Sequence, residues 1–251
     1  MLAFRPDPIR EGVSFDLIKP KFTKLSTNET YSIPDFARLL DQSFNDCTCN
    51  AVCDALEILM SQGSTPVELS RLFCYWNARE LNGETNRDEG TYIRSGFEGI
   101  KKFGVCPESS WKYEINKIWT KPNLEAYKTG NDNQISGCYR ITSSDEKRAE
   151  DFEASLRFDH PVVLGIPVDN TFLNHYQTDT VLSAPRGNVV GKHAIIVVGI
   201  RRNAQGAQEF QIKNSWGIHW GAMGHAWLSY EYMIDYSDDP WVVTVKPELV
   251  L

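Results

Sequence analysis

The chain has 251 residues, 41% hydrophobic and 24% charged, with a formal net charge of -7. That length buries a proper core, either as one large domain or as two lobes sharing a cleft. The acidic balance, with no basic stripe, argues against binding to nucleic-acid phosphates, and no run of about 18 apolar residues exists to span a membrane.

Residues 1–35 are polar, Pro-rich and without a clear period, and read as an extended arm on the surface. From Asp46 the pattern turns helical, with Ala51, Val52, Ala55, Leu56 and Leu59 on one face and Gly63 as the stop. Thr65-Pro66-Val67-Glu68 has the form of a capping box and predicts a second helix through Leu69, Leu72, Phe73, Trp76 and Leu81. Thr91–Phe103 is a third, stopped by Gly104. Ser143-x-x-Glu146 predicts a further capping box and a helix to about Phe158.

After it strands dominate: Pro161–Ile166, Ala194–Ile200, Glu209–Lys213 and Trp241–Val245. A helical half followed by a β-rich half gives an α+β fold. No internal repeat or low-complexity segment is present.

Six cysteines stand at 47, 49, 53, 74, 106 and 138. Their scatter in a chain of this length does not suit a disulfide framework and fits reduced thiols. Met1–Pro8 has no apolar run followed by a small-residue cleavage site. The expected location is therefore cytoplasmic, or exported without a classical signal peptide.

A thiol attacks carbonyls well as thiolate, and needs a helix N-terminus or a positive neighbour to lower its pKa. Cys47 opens the first predicted helix, so the positive end of the backbone dipoles points at its sulfur. A histidine from elsewhere would form the ion pair and protonate the leaving amine, with a third group orienting the imidazole. The second half supplies both in order. His193 directly precedes the Ala194–Ile200 strand, and Asn214 follows the Phe210–Lys213 strand.

These segments resemble the papain family of cysteine peptidases, in particular compact bacterial members. Lys213-Asn214-Ser215-Trp216-Gly217, followed by Trp220-Gly221 and Gly224, is similar to the family's asparagine motif. His193-Ala194 running into Val197-Val198-Gly199 resembles its histidine motif, Asp41-Gln42 its glutamine segment, and Cys47-Thr48-x-Asn50-Ala51 the bacterial form of its cysteine motif. The resemblance runs from about Arg5 to Val245.

It implies a papain-like two-lobe fold forming one domain over 1–251. Residues 1–35 would be an arm across the β-rich lobe, 36–135 the helical lobe and 136–251 the β-rich lobe, with the site in the cleft between lobes. It implies hydrolysis of peptide bonds, with Cys47 as nucleophile, His193 as base and acid, and Asn214 orienting His193. Gln42 and the Cys47 N–H would bind the oxyanion, and Trp216 would shield the His–Asn bond. Gly90 and Thr91 would pair with substrate backbone. No cofactor or metal is needed. The expected partner is a protein or peptide substrate, with no nucleic acid and no membrane. The chain is expected to be a monomer, and two readings stand for residues 1–35: a short inhibitory plug, or an arm that leaves the enzyme constitutively open.

The sequence departs from the family pattern at Asn45-Asp46, where Gly-Ser is usual, and the Gln42-to-Cys47 spacing is one residue short. Asp46 suits the N-cap of the helix, and its charge opposes thiolate formation at Cys47. A cation at Lys192 disfavours imidazolium at His193. Cys49 is the rival nucleophile. Three further readings stay open: an acyltransferase or peptide ligase with the same triad, a non-catalytic binding protein on the same fold, and thiolate metal binding by Cys47, Cys49 and Cys53. The last lacks the paired spacing that structural zinc prefers.

Overall fold

The computed structural model describes residues 2–8, 12–35, 37–61, 66–176 and 178–245. The expected helix stop at Gly63 and the capping residue Thr65 lie outside them. In chain order the elements are β1 (Thr30–Ser32), α1 (Cys47–Met60), α2 (Arg71–Asn82), α3 (Ile93–Phe103), α4 (Leu124–Gly130), β2 (Ile135–Arg140), α5 (Asp145–Leu156), β3 (Val162–Val168), α6 (Asn170–Leu173), β4 (Val181–Leu182), β5 (Gly191–Arg202), β6 (Gln208–Lys213), β7 (His225–Ser229), α7 (Tyr230–Asp235) and β8 (Asp238–Val245). The first half is helical and the second is built on a sheet, so the fold is α+β.

The sheet runs β2-β8-β3-β5-β6-β7-β4, with β1 added to β5. The described pairings are antiparallel except β4 on β7. Central β5 reads His-Ala-Ile-Ile-Val-Val-Gly-Ile and is buried from His193 to Ile200. Such a continuous apolar run suits a strand covered on both faces rather than an alternating one. α1 packs against it, and α2 and α3 pack on α1.

Three helix caps differ from the sequence reading. α2 begins after Ser70, whose hydroxyl accepts from the Phe73 N–H at 3.2 Å. Residues 66–69 are extended because their backbone is spent elsewhere. Leu69 N–H donates to the buried Glu57 carboxylate, and Glu68 O accepts from Glu108 N–H. The Ser143–Glu146 box does not form either. Ser144 takes the cap position, and the Ser143 hydroxyl donates to Asp151. Asp46 does occupy the N-cap of α1, but its side chain makes no capping bond and instead accepts from Tyr113 Oη.

Lys213 shows how the layers are fastened. Its ammonium is fully buried, 2.8 Å from Asp54 of α1 and 2.9 Å from Asp35 before the helix. Removing one partner of a buried pair strands a charge, whereas replacing both sides with apolar groups does not. Lys213→Met is expected to cost about 3–5 kcal/mol in urea unfolding, and Lys213→Met combined with Asp54→Leu to recover much of it.

Candidate active site

Cys47 is the first residue of α1, and its thiol is wholly buried. The backbone N–H groups of Ala194 and Ala3 lie near enough to favour its thiolate form. Ala194 neighbours His193 on β5, so the sulfur lies against the strand that carries the imidazole. His193 is the third residue of β5 and does not precede it, because β3 pairs with the strand from Gly191 on, with Ile166 opposite His193. Asn214 follows β6, which is in register with β5 through Lys213 opposite Ile196. The pairing brings His193 Nε2 to 2.7 Å from Asn214 Oδ1. An amide oxygen only accepts, so Nε2 carries the proton and Nδ1 presents a lone pair. Nδ1 is buried with no hydrogen-bond partner.

Trp216 stacks on the imidazole with centroids 4.5 Å apart and planes at 29°. Phe172 and Trp220 meet Trp216 edge-on, closing an aromatic wall behind the His–Asn bond. The glycines of the asparagine motif are needed by the backbone. Gly221 sits at φ +57, and a Cβ there would run into the His225 carbonyl.

Gln42 is buried beside this group. Its N–H donates to Ser215 O at 2.9 Å, its Oε1 accepts from Ser215 Oγ at 2.6 Å, and its Nε2 donates to Phe44 O at 3.0 Å. The sequence reading missed Ser215 as the holder of Gln42, although it lies inside the asparagine motif. Thr91 is fully buried, its Oγ1 accepting from Asn82 and its carbonyl from Thr48, so its side chain turns into the helical layer. Cys49 is equally buried, with Cys74 of α2 the first of the neighbouring groups acting on its thiol. Among the described residues, no group of three or more His, Cys, Asp or Glu side chains could hold a metal ion.

Residues 2–7 of the arm lie in the cleft. Phe4 N–H donates to Lys192 O at 3.2 Å. Three glycines make the room: a Cβ on Gly90 would strike the Ala3 carbonyl, one on Gly165 the Phe4 ring, and one on Gly191 the Leu2 side chain. Arg5 pairs with Glu84 at 2.5 Å and donates to Tyr92 Oη at 2.6 Å, and Arg94 pairs with buried Asp7 at 2.5 Å. The arm therefore covers the Cys47 thiol as well as pairing β1 with the sheet. An open cavity of about 440 Å³ remains on the Trp216 side, lined by Asp41, Leu173, Asn174, Tyr176, Trp216 and Trp220.

Burial dominates the electrostatics under this cover. It pushes the Cys47 thiol up, against the Ala194 and Ala3 N–H groups. It holds His193 down at about 3, although Asn214 favours the charged ring. The shifts run in opposite directions and each favours the uncharged form: with the arm seated, the pair rests as neutral thiol and neutral imidazole at neutral pH.

Residues 77–237 match a model of papain family cysteine proteases. An uncharacterised peptidase C1-like protein of Acanthamoeba polyphaga mimivirus is 32% identical over 242 residues, covering 90% of this chain and 76% of the relative. A cysteine protease of Blomia tropicalis is 25% identical over 86% of this chain and 68% of its own length. Among solved structures, xylellain, a cysteine protease from Xylella fastidiosa, superposes with a TM-score of 0.79 at 26% identity, over 98% of this chain and 96% of that one. Digestive procathepsin L 3 of Tenebrio molitor shares the fold, with a TM-score of 0.71 at 18% identity over 93% and 76% of the two chains. Family match, relative and superposition agree: this chain belongs to the papain family and is a cysteine peptidase with the family's two-lobe fold.

Proposed function

We propose that Cys47, His193 and Asn214 form the catalytic triad and that the chain cleaves peptide bonds through a thioester on Cys47. The observation that carries this is the buried His193–Asn214 bond at 2.7 Å. It presents an unpartnered Nδ1 on the strand whose next N–H, that of Ala194, reaches the Cys47 thiol.

Nδ1 takes the thiol proton, and the thiolate adds to the scissile carbonyl carbon, forming a C–S bond. The oxyanion is held by the Cys47 N–H and by Gln42 Nε2, the two donors that the family resemblance assigns to it. His193 passes its proton to the leaving amine as the C–N bond breaks, leaving a thioester. Water then gives a proton to His193 and adds to the thioester. The C–S bond breaks, the acid departs, and the proton returns to sulfur. Asn214 keeps Nδ1 toward sulfur throughout, and the Trp216 wall excludes water from the His–Asn bond.

The arm is the enzyme's own stopper. Ala3 sits on the thiol and against Gly90, where the family resemblance places substrate backbone. Procathepsin L 3, procathepsin B S9 of Trypanosoma congolense and the proform of a ragweed pollen protease are all structural neighbours, solved with their pro-segments. Displacing residues 2–7 admits substrate and water together. Rehydration lowers the thiol pKa and raises that of the imidazole, toward the ion pair.

An epoxysuccinyl inhibitor, read by intact mass and peptide mapping, is expected to modify Cys47 alone. The adduct should vanish in Cys47→Ala, persist in Cys49→Ala and form at least ~10²-fold more slowly in His193→Ala. Modification of Cys49, or a rate no faster than that of a free thiol, would sink the assignment. Removal of residues 1–12 is expected to leave the fold intact and speed labelling of Cys47. In the intact chain, the His193 ring protons should show no titration in NMR between about pH 5 and 8, and they should titrate there once the arm is gone. A midpoint near 6.5 with the arm seated would contradict the dry, neutral pair.

A further inference from the structure

Between Gln42 and Cys47 the chain has to hold two groups at a fixed separation, the side-chain donor and the nucleophile. This stretch is one residue shorter than the family pattern and lacks its usual Gly-Ser. Its shape is set from outside. Ser215 holds Gln42 at one end, and Asp88 accepts from Asn45 N–H at 3.1 Å and, through its carbonyl, from Asn45 Nδ2 at 2.7 Å.

Tyr113 joins the remaining two points. Its hydroxyl accepts from Ser43 N–H at 3.0 Å and donates to Asp46 Oδ2 at 2.8 Å. The ring is wedged between Phe44, edge-on at 5.3 Å, and the Arg71 guanidinium, 3.8 Å above its centre. Arg71 in turn donates to Asn50 Oδ1 on α1 at 2.6 Å. Asp46 is completely buried, and its other oxygen has no hydrogen-bond partner. A carboxylate placed so is costly, and nothing in peptide hydrolysis by Cys47 uses it.

We propose that the Ser43–Tyr113–Asp46 relay is a positioning device that holds the Gln42–Cys47 loop in the shape that stabilises the oxyanion. It rests on Cys47 being the nucleophile. The relay touches no reacting atom. It fixes the residue after Gln42 and the residue before Cys47 to a single hydroxyl, so the two oxyanion donors keep their spacing. It replaces by hydrogen bonds what a glycine-containing turn supplies through backbone geometry.

Two reagents on the full-length chain separate positioning from thiol activation. A peptide substrate needs the oxyanion donors, whereas alkylation by iodoacetamide displaces iodide at a saturated carbon and forms no oxyanion. Opening of the arm enters both rates equally, so the ratio of peptide kcat/KM to the alkylation rate at Cys47 reads the loop. Tyr113→Phe keeps the ring between Phe44 and Arg71 but removes the hydroxyl, and is expected to lower the ratio about 10-fold, as small misplacements of catalytic groups do. Asp46→Leu should lower it likewise, and Asp46→Asn, whose amide oxygen still accepts from Tyr113, should recover most of the loss.

An unchanged ratio in Tyr113→Phe, or a parallel fall in both rates, would overturn the relay. Should Asp46→Leu fail to fold, Tyr113→Phe alone decides. Alkylation of the wild-type chain away from Cys47 is a different failure, since it would overturn the nucleophile assignment and the relay with it.

Discussion

α1 is buried along its whole length, yet it carries Asn50, Asp54 and Glu57 and is preceded by Asp46. A buried polar group without a partner costs more than a hydrogen bond returns, so each of these residues dictates a neighbour. Asn50 takes Arg71 from α2, Asp54 takes Lys213 from the end of β6, and Glu57 takes Arg38 and the Leu69 N–H. Asp46 takes Tyr113. One helix thereby fixes the positions of α2, the sheet and the segments around them. Its N-terminus is left facing β5 at the residue after His193.

The site follows from that placement. Lys213, tied to Asp54, is the residue before Asn214, so the bond that fastens sheet to helix also sets where the Asn214 amide begins. β5 and β6 are adjacent strands, and their pairing carries Asn214 to His193. The rings of Trp216, Phe172 and Trp220 pack beside the pair, which is buried. The same burial holds the thiol and imidazole neutral while the arm is seated.

Much of this was legible in the residues. The Asn214-Ser215-Trp216-Gly217 run, His193 on an apolar strand and Cys47 at a helix start announce the constellation, because each type is tied to a local element. The runs read as strands overlap β3, β5, β6 and β8, since buried runs such as Val162–Val168 admit few alternatives, whereas β1, β2, β4 and β7 were not read. What failed depended on distant partners. Thr65-Pro66-Val67-Glu68 has the form of a helix start, but Leu69 is claimed by Glu57, so the helix waits for Ser70. Asp46 suits a cap, but Tyr113, far away in sequence, takes its carboxylate. Gly165 and Gly191 gave no signal, because their value lies in the space they leave for Phe4 and Leu2.

The most direct test of acyl transfer through Cys47 is to mix the chain with a peptide ester, quench in acid and map the acyl group by mass spectrometry. The triad predicts a thioester on the peptide containing Cys47, absent from Cys47→Ser and strongly diminished in His193→Ala. Turnover with the acyl group on Cys49, or with no thioester on either cysteine, would contradict it.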